Sequence, residues 1–176
     1  MTKKSIQTRE NAVKTLRKIS QFGSEITLPD FEWPKPSDLL SMPEDKQIKL
    51  VGFNWKKCDS DKKNIAAIQV ILSNGITSPL FLARNATTSN IERVNITNKQ
   101  RIEKIKGQQG MNGSVSEVYF YEKDGSLITQ MVADVVGGYD LATLDEGEEI
   151  VGVYGTKNKI YDHLDTLGFI VWRPNC

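Results

Sequence analysis

An all-β domain, entered through a helix and an extended strap, is the fold that this chain of 176 residues predicts, and three observations carry it. Beyond Lys49 the sequence breaks into short runs rich in Val, Ile, Tyr and Phe, separated by Gly, Asn and Asp, the composition that suits a pleated, half-buried surface. Two of the gaps, Ser73-Asn74-Gly75 and Lys123-Asp124-Gly125-Ser126, are hairpin turns, because Asn or Asp before Gly supplies the positive φ that tight turns require. No long helical period separates the runs, which disfavours alternating strand-helix architecture and leaves a closed or prism-like fold that hides its strand edges.

The elements follow in order. From Ser5 to Phe22 apolar residues recur every three or four positions from Ala12 onward, through Val13, Leu16, Ile19 and Phe22, and Gly23 stands where a helix C-cap would. Residues 1–23 therefore read as an amphipathic helix. Its other face is basic, with Lys3, Lys4, Arg9, Lys14, Arg17 and Lys18 against Glu10. Such a helix docks on its own domain or on an acidic protein neighbour; a mitochondrial presequence and a membrane-surface helix are the alternatives. Residues 24–48 hold Pro29, Pro34, Pro36 and Pro43, four of the six prolines, among Phe31, Trp33, Leu39, Leu40 and Met42. Proline at that density blocks ladders and predicts an extended strap, while its aromatics ask for burial against the domain or a partner.

Residues 49–176 form the expected domain. Its strands are predicted at 50–55, 65–72, 78–83, 91–97, 102–106, 115–122, 127–133, 149–154 and 167–173. Alternation is clearest in Val115, Glu117, Tyr119 and Tyr121 against Val118 and Phe120.

Five segments then resemble, in order, the pattern of jacalin-type lectin domains: Ile68 to Gly75, Ile102 to Gly107, Val118 to Gly125, Glu148 to Gly155, and Leu164 to Ile170. The resemblance spans about residues 50–173. It implies a β-prism of three Greek-key sheets about a pseudo-threefold axis, and non-catalytic binding of mannose- or galactose-type sugars. It also implies a site at one end of the prism. Asp165 stands where the family's carboxylate accepts sugar hydroxyls, Asp162 and His163 where backbone amides face the sugar, and Gly52 in the glycine-containing loop beside them. Tyr161 stands where the family has glycine.

The composition bounds the rest. Twenty-three Lys and Arg against 22 Asp and Glu give a net charge of +1, so no global field recruits nucleic acid. His163 is the one histidine, and no nucleophile signature accompanies it, so no enzyme, metal or cofactor is expected. The run Asp145-Glu146-Gly147-Glu148-Glu149 reads as a turn of solvated charges rather than a Ca²⁺ site. Cys58 and Cys176 read as free thiols, with a disulfide between them as the alternative. The absence of a secretory apolar run or a transmembrane stretch suggests an intracellular chain, cytoplasmic or cytoskeletal rather than mitochondrial.

Two functions follow as expectations. The first is a structural or scaffold subunit of a larger intracellular assembly, cytoskeletal or ciliary among others, anchored to other proteins through Leu16, Ile19, Phe22, Phe31, Trp33, Leu39 and Leu40. On that reading, removal of residues 1–45 leaves a folded domain. The alternative is a carbohydrate-binding lectin acting through the loop that contains Asp165.

Overall fold

The computed structural model describes residues 16–23, 28–41, 48–60, 62–73, 75–97, 99–110, 112–133 and 138–173. Twelve strands build three four-stranded antiparallel sheets. The strands are β1 (Arg17–Gly23), β2 (Phe31–Trp33), β3 (Leu50–Lys57), β4 (Ile65–Leu72), β5 (Phe81–Leu82), β6 (Glu92–Asn95), β7 (Lys104–Gln109), β8 (Val115–Tyr121), β9 (Leu127–Val132), β10 (Tyr139–Thr143), β11 (Glu149–Lys157) and β12 (Leu164–Trp172), with a short helix α1 (Pro36–Ser41) after β2. The sheet orders are β1-β12-β11-β2, β10-β7-β8-β9 and β5-β4-β3-β6.

Each sheet turns one face to a common core. Phe53, Phe120 and Phe169, one from a central strand of each sheet, meet there with ring centroids 5.3 to 5.9 Å apart. Two of these pairs are edge-on and one is stacked, arrangements that add to the burial of the rings. Both strong turn sequences sit at hairpins, and Gly75 and Gly125 adopt the positive φ expected of them.

The entry to the domain is where sequence and structure part. Residues 1–15 lie outside the described residues, and Arg17–Gly23, read above as the end of a helix, is strand β1, paired along β12. The cause is a bulge. The register with β12 shifts between Ile19 and Phe22, and an extra residue in a strand lets positions three apart face the same side. Ile19 and Phe22 are both buried by it. Their spacing therefore imitates a helical period.

The strap is likewise part of the domain. Phe31–Trp33 is an edge strand along β11, with Phe31 and Trp33 turned into the core and Phe31 stacked on Phe81 at 4.9 Å. Pro29 and Pro34 flank this edge strand, where no ladder donor is lost. Ile19, Phe22, Phe31 and Trp33 are thus core residues rather than partner anchors, and Leu16 packs on the same core. Leu39 and Leu40 lie on α1, and their side chains fall outside what is described. β1 and β2 share a sheet and a core with the strands beyond residue 49, so residue 49 is an interior point of the fold. β10 also goes beyond the strands expected, because its residues Tyr139, Asp140 and Leu141 are exposed and carry little apolar alternation.

Tyr154 ties β1 down from outside. Its ring lies over Gly168, where a Cβ would overlap it, and its hydroxyl donates to the Ile19 carbonyl oxygen at 3.0 Å. At the start of β1, two residues before Ile19, Arg17 Nε donates to Glu148 at 3.1 Å, and Glu148 also accepts from the Asp145 backbone N–H at 2.7 Å. Glu148 is therefore a buried, paired group and not a solvated turn charge. The Arg17 hydrogen bond, partly opposed by burial, holds its carboxyl below the usual carboxylate range. A depressed folded pKa adds stability above the unfolded value that is lost as pH falls through the folded one. Glu148→Gln is expected to lower the melting temperature at pH 7 and to lower it less at pH 3, read by thermal unfolding at both pH values.

Candidate functional site

At one end of the prism the ends of β1 and β11 and the start of β12 meet the β3–β4 and β7–β8 loops. Asn158 organises the β11–β12 loop there. Its Oδ1 accepts the backbone N–H groups of Ile160 and Tyr161 at 2.8 and 2.7 Å, and its Nδ2 donates to Asp165 Oδ1 at 2.9 Å. Its own backbone N–H closes the loop on the His163 carbonyl at 3.0 Å. An Asn side chain bonding the backbone two and three residues on is a turn-former, so the loop is set locally.

Asp165 is half-buried, and Ser114 Oγ donates to the same Oδ1 at 3.0 Å. Two donors on one oxygen fix the carboxylate's rotamer. Among the described residues, Oδ2 of Asp165 and the backbone N–H of His163, two positions apart at the start of β12, have no hydrogen-bond partner. Ser114 is placed in turn by Asn64, a fully buried amide that donates to the Ser114 and Val115 carbonyls and bonds Asn112 across the two loops.

The neighbouring groups are otherwise engaged. His163 is buried, with Nδ1 at 3.0 Å from the Leu164 carbonyl, so that nitrogen carries a hydrogen; it lies 3.9 Å from Asp165 Oδ1. Asp162 Oδ1 accepts from Cys58 Sγ at 3.0 Å and Ser60 Oγ at 2.7 Å. Burial pushes the Asp162 carboxyl up, but these two donors together with the backbone N–H groups of Ser60 and Asp162 outweigh it and hold the group below its ordinary value. Its carboxylate is committed to the β3–β4 loop, so only the backbone of Asp162 is available at the site. The Cys58 side chain is buried, and Cys176 lies outside the described residues.

Gly52 is not part of this corner. It sits in the interior of its sheet between Asn95 and Ile71, where a Cβ would overlap the Val94 carbonyl oxygen. The glycine beside Asp165 is Gly23, at φ +118°, where a Cβ would overlap the Asp165 carbonyl oxygen. Gln109 Nε2 donates to the Gly23 carbonyl at 2.7 Å and anchors that strand end to the second sheet. Reading Gly23 as a helix cap hid it. Asn158 and Ser114 were missed as well, since a lone Asn or Ser gives no signal without the fold that brings it to Asp165.

Two surface hollows of about 240 and 470 Å³ meet at Arg101, at the opposite end of the strands. Lys49, Lys99 and Arg101 in the smaller one face Glu148 and Glu149, so its charges are balanced rather than selective.

No protein-family model and no curated protein matches the sequence. Solved structures do. Artocarpin in complex with methyl-α-mannose superimposes with a TM-score of 0.59 at 15% identity, covering 90% of this chain and 98% of that one. A mannose-binding jacalin-related lectin from Ananas comosus gives 0.57 at 14%, covering 90% and 99%. The agglutinin of Calystegia sepium gives 0.58 at 15%, covering 88% and 95%. With its three antiparallel four-stranded sheets and nearly the whole chain superimposed, this protein has the β-prism fold of the jacalin-related lectins.

Proposed function

We propose that the chain is a non-catalytic carbohydrate-binding protein that holds a mannose- or galactose-type sugar in the corner formed by Gly23, Asn158, His163 and Asp165. The observation that carries this reading is that the Asp165 carboxylate is fixed through Oδ1 by Asn158 and Ser114 while Oδ2, an acceptor, and the His163 backbone N–H, a donor two positions away, have no partners among the described residues. A hexose offers hydroxyls on adjacent carbons, each able to donate and accept, and a fixed carboxylate takes such a hydrogen bond more strongly than a neutral acceptor. The similar structures described as mannose-binding or solved with methyl-α-mannose support the same choice. The scaffold expectation rested on strap side chains, and Phe31 and Trp33 belong to the domain's own core.

The test is calorimetric titration with methyl α-mannoside, methyl α-galactoside and glucose. Saturable binding near 1 mM, about 4 kcal/mol, is expected for one of the first two. Asp165→Asn keeps the side chain's shape and should weaken it at least about tenfold, since a charged acceptor is lost. Unchanged affinity in that variant, or no saturable binding by the parent chain, would refute the proposal.

A further inference from the structure

The β11–β12 loop carries two large apolar side chains in the open: Ile160 is 74% and Tyr161 62% exposed. An exposed tyrosine on a loop ordinarily samples several rotamers, yet this one is held at both ends. Its backbone N–H and that of Ile160 are pinned by Asn158 Oδ1. Its ring lies nearly parallel to the imidazole of His163, with centroids 6.1 Å apart and planes 12° apart. That imidazole is itself buried and tied to the Leu164 carbonyl. A rigid aromatic with an exposed face suits a ligand, because little side-chain freedom is lost when the ligand docks.

Its position sets which part of a ligand it meets. His163 neighbours both the Tyr161 ring and Asp165, with Nδ1 3.9 Å from the carboxylate. The carboxylate's own partners are Asn158 and Ser114, so the ring, reached through His163, is suited to what is attached to a sugar anchored on Asp165. We infer that Tyr161 is a specificity-determining residue that stacks on the apolar C–H face of the second sugar of a glycan, so that the site takes a chain of two or more residues in preference to a monosaccharide. The phenolic hydroxyl at the rim gives the same ring a polar contact with the outer sugar. This inference rests on the Asp165 site proposed above and names its ligand more narrowly.

The experiment compares methyl α-mannoside with a mannose disaccharide, by calorimetry, on the full chain and on Tyr161→Ala, Tyr161→Phe and Asp165→Asn. The parent chain is expected to bind the disaccharide about 3- to 10-fold more tightly, the size of an aromatic contact. Tyr161→Ala should erase that ratio while leaving methyl α-mannoside binding in place, Tyr161→Phe should keep most of it, and Asp165→Asn should weaken both ligands together. Monosaccharide binding with a ratio indifferent to Tyr161→Ala overturns the inference and leaves the site standing. A rise in methyl α-mannoside affinity in Tyr161→Ala, with no loss of ratio, makes Tyr161 a cover over the pocket and overturns it too. Absence of binding by both sugars overturns the Asp165 site itself.

Discussion

A chain lacking residues 1–33 is expected to lose cooperative folding, where the sequence alone suggested that the whole N-terminal segment could be removed. That truncation takes away β1 and β2, the two outer strands of one sheet, and exposes the ladders of β12 and β11 on both sides. It also removes Ile19, Phe22, Phe31 and Trp33 from the core. Truncating one buried Phe or Trp to Ala costs about 3–5 kcal/mol, and a domain of this size has only about 5–15 kcal/mol in total. Phe22 shows why no rearrangement compensates: its ring fills the space over Gly107, where a Cβ would collide with it. Circular dichroism with thermal melting checks the truncation, and Phe22→Ala alone should lower stability by about 3–5 kcal/mol in urea. A truncated chain with a sharp, two-state melt would contradict this view of the fold.

Phe169→Ala is expected to be among the most damaging single substitutions. Its ring contacts Phe53, Phe120 and Phe22, which come from all three sheets, and it has no exposure to solvent. The cavity left on the prism axis cannot be closed by moving one sheet without pulling on the other two, so the cost belongs at the upper end of about 3–5 kcal/mol. Tyr139→Ala makes the contrast. That ring is on the outer face, exposed, with Lys106 over it at 4.8 Å, and its loss should cost about 1 kcal/mol or less. Equal losses for the two variants in urea titrations would mean that the three sheets do not share one core.

Much of the fold was legible because two signals are local. Asn or Asp before Gly marks a turn wherever it occurs, and β3, β4, β8, β9, β11 and β12 carry enough Val, Ile and Phe to declare themselves. What was not legible depended on pairing. The i to i+3 spacing of Ile19 and Phe22 is helical until β12 imposes a bulge between them, and Phe31-Glu32-Trp33 is three residues among prolines until β11 offers an edge. The site divides in the same way. Asp165 was recognisable from the segment around it, whereas Gly23, Ser114 and Asn158 come to it from residues 142, 51 and 7 positions away in the sequence. Gly52 is the first glycine of a domain begun at residue 49; with β1 as the outer strand beside β12, the glycine that lets a backbone approach Asp165 is Gly23.

The central claim is that the Asp165 corner binds sugar. Amide chemical-shift mapping of the ¹⁵N-labelled chain during titration with methyl α-mannoside tests it directly, because it reports both occupancy and place. The account predicts saturable shifts gathered at Gly23, Asn158, His163 and Asp165, and their loss in Asp165→Asn. Shifts gathered instead around Gln100, Arg101 and Glu149 at the far end of the prism, or no saturable shifts, would contradict it.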